Sequence, residues 1–177
     1  KTDKEARFAF TWALAVTSNG IKVDKNFELA ERAYLGYKQT GRMPSNLKAG
    51  QAQQAINDSL ELYNRLVDQY GVDDLMKFMN TELTVSQIKR VMGVDMAGEY
   101  ASTKVRGAAI LGPKIGNGFF SNLNGHFDQL TMDRWLMRTW GRWTGTLIDN
   151  RKDLVKAKRE ELRTVVAELR QNKAATL

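Results

Sequence analysis

A chain of 177 residues, 42% of them hydrophobic, suffices for one well-buried core or for two small lobes sharing a cleft. Its 27 Lys and Arg against 20 Asp and Glu leave a formal charge of +7, and such a surplus favours a polyanionic partner, since each cation that meets a phosphate releases a condensed counterion. With no cysteine and one histidine, the sequence excludes disulfides, thiol catalysis, thiolate zinc, iron–sulfur ligation and multi-histidine metal sites.

Charge alone fits a basic protein with no nucleic-acid role equally well. No apolar run approaches a membrane span and no signal peptide opens the chain, so an intracellular, cytoplasmic protein is expected. The first residue, Lys1, marks a processed or excised piece as an open reading. From Asp3 to Thr17 the residues Phe8, Phe10, Trp12, Leu14 and Val16 stand among alanines, apolar nearly all round, which predicts a helix at the centre of a bundle. Thr17-Ser18-Asn19-Gly20 breaks it. A second helix over 24–37 places Phe27, Ala30, Tyr34 and Tyr37 on one face, and 41–46 is a turn around Pro44. A longer amphipathic helix over 48–70 follows, with Ala52, Ile56, Leu60, Tyr63 and Val67 at helical spacing. Short helices are expected over 73–79 and 85–92, the second capped by Thr84, and a further helical stretch over 95–111. No alternating strand is evident. The last segment, 149–173, mixes charges with Leu162, Val165, Val166 and Leu169 and reads as a solvated helix with one docked stripe and a Lys156–Glu160 pair.

The passage 107–142 carries the chemistry. Ala109-Ile110-Leu111 ends one helix, Gly112 permits a positive φ, and Pro113 suits the first turn of the next helix, which continues through Lys114-Ile115-Gly116. So tight a turn leaves backbone amides at a helix start, a ready site for a DNA phosphate. Phe119 and Phe120 are expected to pack inside this hairpin. Then come Asn122, the turn Asn124-Gly125, and His126 in an exposed loop. Thr131 reads as a cap, with Asp133 in the first turn of the helix it starts. Lys114 and Asp133 thus stand at two helix starts, nineteen positions apart. Arg134, Arg138 and Arg142 recur every fourth residue as one basic stripe, while Trp140 and Trp143 with Leu136 and Leu147 read as core.

The passage resembles the helix-hairpin-helix glycosylases of base-excision repair, closest to their lysine-containing branch of 8-oxoguanine and endonuclease-III-type enzymes. Gly112-Pro113-Lys114-Ile115-Gly116 is similar to the family's Gly-x-Lys-x-Ala, and Met132-Asp133-Arg134-Trp135-Leu136-Met137-Arg138 to its aspartate helix. Phe8 to Asn19 resembles its opening helix and Ser/Asn-rich turn. Ile110 stands where the family's hairpin has its first glycine, and the iron–sulfur cysteines are missing.

The resemblance implies an all-α, compact, glycosylase-like domain over 1–148, with a helix-hairpin-helix near 102–122 and a C-terminal amphipathic helix over 149–177. It implies a monomer that acts on double-stranded DNA with a modified or damaged base, without metal or other cofactor. Lys114 and Asp133 would be its catalytic pair, with Asn19 filling the gap left by an extruded base and Gly112, Pro113, Gly116, Arg134 and Arg138 on the DNA. A non-catalytic hairpin DNA-binding module and a base-modifying enzyme on the same scaffold stay open beside the glycosylase with lyase activity.

Overall fold

Thr2 sets the start of the first helix. Its hydroxyl accepts the Glu5 amide while the Glu5 carboxylate accepts the Thr2 amide, a reciprocal cap on donors that a helix start leaves open. From there α1 (Asp3–Thr17) buries Phe8, Trp12, Leu14 and Val16 together with the intervening alanines, as its all-round apolar sequence predicts. The computed structural model describes residues 2–93, 101–131, 133–146 and 152–174. They belong to two compact units, Lys1–Met132 and Asp133–Leu177. Among the described residues the structure is predominantly helical with one two-stranded sheet, so the fold is all-α.

In the first unit α1 is the central element, packed on α2 (Val23–Thr40), α3 (Gln53–Tyr70) and α4 (Val72–Asn80). The buried stripe of α2 is Asn26, Leu29, Ala30, Ala33 and Tyr37, whereas Phe27 is exposed. The expected face is therefore rotated. Ala30 and Ala33 allow close approach to α1, and the Thr17 hydroxyl, 2.6 Å from Asn26 Oδ1, draws Asn26 into the same stripe. Helix α3 begins later than its pattern suggested. Asn57 bonds both the amide and the carbonyl of Leu47, which keeps that stretch out of the helix, and a 3-10 turn (Gly50–Ala52) leads into α3. Phe8, Trp12, Tyr63 and Phe120 form an edge-on aromatic cluster at the core, with Trp12 and Tyr63 centroids 5.3 Å apart. Burial pushes the Tyr63 hydroxyl well above its ordinary range, and Tyr37, which accepts its hydrogen bond, adds to the effect.

Helix α5 (Val85–Met92) starts on Thr84 as expected, with Gln87 completing a second reciprocal cap. The segment over 95–111 departs from a helix. Within its described part, β2 (Lys104–Arg106) pairs antiparallel with β1 (Glu82–Thr84), Leu83 opposite Val105. Only Val105 of β2 is buried, and a three-residue alternation is too short to stand out as a strand. A 3-10 helix (Gly107–Leu111), a π-helix (Pro113–Phe120) and a single turn, α6 (Ser121–Leu123), complete this part of the chain.

The second unit holds α7 (Arg134–Thr144), ended by Gly145 at φ +68°, and α8 (Lys152–Ala174). On α8 Glu160 pairs with Arg163 at 2.8 Å and Glu161 with Lys158 at 2.7 Å, in place of the Lys156–Glu160 pair. Three-residue spacing serves these long side chains as well as four. Leu162, Val165, Val166 and Leu169 are exposed. So are Trp140 and Trp143, at 57% and 83%, which corrects their reading as core; Leu147 lies outside the described residues.

Candidate nucleic-acid interface

The hairpin is built by glycines. The 3-10 helix ends at Gly112, whose φ of +91° disfavours any L side chain and whose amide donates to Ala109 O at 2.8 Å. Pro113 then opens the next helix, where its missing N–H costs nothing. Gly112 O accepts from Gly116 N–H at 2.9 Å and from Asn117 N–H at 3.2 Å. The second bond spans five residues, so the hairpin's second arm is a widened π-helix and its first arm a 3-10 helix, rather than two α-helices. Gly116 permits the crossing, because a Cβ there would run into the Ala108 carbonyl. The smallest residue is required, which accounts for glycine at this position.

Lys114 is the second residue of the π-helix and is half-buried, with no hydrogen-bond or ion-pair partner among the described residues. The amides of Lys114 and Ile115 likewise make no backbone hydrogen bond among the described residues. Together they offer two N–H donors and one ammonium group beside an exposed Pro113.

Behind this turn lies a polar network that the sequence did not suggest. Buried Asn117 accepts the Arg106 amide and donates to Gln129. Arg106 reaches Asp128 at 2.9 Å and Asn80 O at 3.3 Å. The hydrogen bond from Arg106 holds the Asp128 carboxyl below the usual carboxylate range. Asn122 donates to His126 O and Gln129 O, while its own Oδ1 accepts from Thr131 at 2.8 Å. The 124–131 segment is thus strapped to the hairpin. His126 is part of it, half-buried with Nε2 3.1 Å from Asn80 Oδ1, and so is not the exposed loop residue expected. Phe120 is fully buried, but against Phe8 and Trp12 of α1 rather than inside the hairpin, and Phe119 is half-buried.

Thr131 is spent on Asn122, and Asp133 caps α7 instead: its Oδ1 accepts the Leu136 amide at 2.7 Å. Asp133 therefore precedes the helix rather than standing in its first turn. Its carboxylate sits at the positive end of the helix with one oxygen committed to the cap. Lys114 stands in the first unit and Asp133 opens the second. Arg138 and Arg142 are exposed on α7, one turn apart; the Arg134 side chain lies outside the described residues. Asn19 is half-buried in the turn after α1, which closes by Ile21 N–H to Ser18 O with Gly20 at φ +73°.

Among the described residues no group of three or more His, Asp or Glu could hold a metal ion, and no helix is long and apolar enough to cross a membrane. Compared with family models, with curated proteins and with solved structures, the chain matches none.

Proposed function

We propose that this chain is a DNA glycosylase with lyase activity, acting on a modified or damaged base in duplex DNA. The observation that carries the reading is the Gly112-Pro113-Lys114 turn, where two amides and an ammonium group without a partner among the described residues share one short helix start. Such a start suits a backbone phosphate, and the +7 charge suits the polyanion as a whole.

A base stacked in a duplex is out of reach of any side chain, so the nucleotide must be rotated out, at a cost of a few kcal/mol. Once the Lys114 ammonium has given up a proton, its nitrogen attacks the sugar carbon that bears the base. A carbon–nitrogen bond to the enzyme forms as the glycosidic bond breaks, and the base leaves with the electron pair and takes up a proton. Ring opening gives a Schiff base, from which elimination cleaves the strand. The family resemblance gives the Asp133 carboxylate the role of countering positive character on the sugar in the first step.

The test is borohydride trapping on a panel of modified-base and abasic duplexes, with base release followed in parallel. Wild type is expected to give a covalent adduct that Lys114→Ala abolishes. Asp133→Asn should slow base release about 100-fold, the order lost when a group stabilising transition-state charge is removed. A wild type that binds duplex yet neither traps nor releases any base overturns the enzyme reading in favour of a non-catalytic binding module. New modified nucleosides in the treated DNA would instead favour a base-modifying enzyme.

A further inference from the structure

We infer that the first unit carries a second site, for the phosphate and base of a free mononucleotide, in a cavity of about 390 Å³ at the N-terminal end of α1. Lys4 and Arg7, three residues apart on one face of α1, line it from one side and Lys77 of α4 from another. No carboxylate lines it. Lys77 has Asp74 at 3.2 Å, but Lys4 and Arg7 have no ion-pair partner among the described residues. Lys4 and Arg7 repel each other until an anion enters, Lys77 can turn from Asp74 to it, and a phosphate brings about two charges and several acceptor oxygens to such a rim.

The rest of the wall suits a planar ring. Phe8 and Met76, largely buried in the core, form its apolar floor. Asn124 donates to Phe120 O through Nδ2, which leaves its Oδ1 as an acceptor with no described partner, suited to an exocyclic amine. Asn80 is already engaged with Met76 O and His126 and shapes the wall. The volume lies at the low end of small-ligand pockets, about 300–1,000 Å³, which is room for one nucleotide. At the start of α1 the Glu5 amide is held by the Thr2 hydroxyl and the Thr2 amide by the Glu5 carboxylate, and the cations on the rim are what would recognise the phosphate. From Arg7 to Thr17 the helix rises about 15 Å, which separates this cavity from the Asn19 turn. The site uses neither Lys114 nor Asp133 and stands apart from the glycosylase reading.

Calorimetric titration of the full chain with deoxyadenosine 5′-monophosphate, beside deoxyadenosine and inorganic phosphate alone, tests it. Saturable binding of the monophosphate is expected, at least about tenfold tighter than either fragment. Arg7→Glu and Lys77→Glu, both at exposed positions, should each weaken it about tenfold or more with the melting temperature unchanged. Borohydride trapping through Lys114 should be the same in both variants. Absence of saturable binding, equal affinity for the nucleoside, or indifference to Arg7→Glu overturns the site. So would variants that weaken duplex binding while the mononucleotide still fails to bind.

Discussion

Two glycines that look alike in the sequence do different work, and a single methyl group separates them. At Gly116 the backbone conformation is ordinary but the space is taken by the Ala108 carbonyl, so Gly116→Ala must push the two arms of the hairpin apart. A loss of about 2–3 kcal/mol is expected from such overpacking against backbone, read as a lower urea midpoint. At Gly20 the space is open and only the φ of +73° resists, so Gly20→Ala should cost about 1–2 kcal/mol. The reverse order would mean that the hairpin arms do not cross this closely. Asp133 allows a similar separation of effects. Asn caps a helix as well as Asp does, so Asp133→Asn removes the charge and keeps the bond to Leu136, whereas Asp133→Ala also costs about 1 kcal/mol of cap. If the charge is what serves the chemistry, Asn should be as inactive as Ala and as stable as wild type.

At the scale of elements, the Arg106–Asp128 pair that straps the 124–131 segment should make the hairpin sensitive to acid. The folded Asp128 titrates below the ordinary 3.8, so its contribution is complete above that value and is lost as the pH falls through the lower, folded one. Asp128→Asn should therefore melt below wild type at neutral pH, with the two curves converging under acid. A constant gap would assign the effect to packing. This strap was not legible in the sequence, because its partners come from segments tens of residues apart and no local pattern announces them. What was legible was local: α1 follows from its apolar run and α5 from Thr84 as its cap, whereas the cap at Thr2 was not singled out. The Gly112-Pro113 turn was also legible from its residues, but the π-type widening depends on Gly116 meeting Ala108 across the hairpin. Thr131 and Asp133 are both good caps, and the choice fell to Asn122, which recruits the Thr131 hydroxyl. Trp140 and Trp143 misled because apolar spacing identifies a face without saying whether anything covers it.

For the whole molecule, the charge is unevenly shared. Residues 133–177 carry eleven Lys and Arg against six Asp and Glu, so five of the seven surplus charges belong to the smaller unit. If duplex DNA is the partner, most of the counterion release should come from there, and the exposed Arg138 and Arg142 of α7 are the first side chains to test. Each phosphate contact contributes about 0.9 to the slope of log affinity against log salt. The double variant Arg138→Gln, Arg142→Gln should flatten that slope by up to about 1.8 while leaving its sign unchanged, in anisotropy titrations of a duplex over a range of salt. Contacts of this kind fix register without reading sequence, so the loss should be the same for damaged and undamaged duplexes. Lys114→Ala should remove about 0.9 at most, since it takes away one cation and leaves the backbone amides of the turn in place. A slope that survives the double variant intact would move the DNA off the α7 face, and with it the reason for reading its arginines together with Asp133.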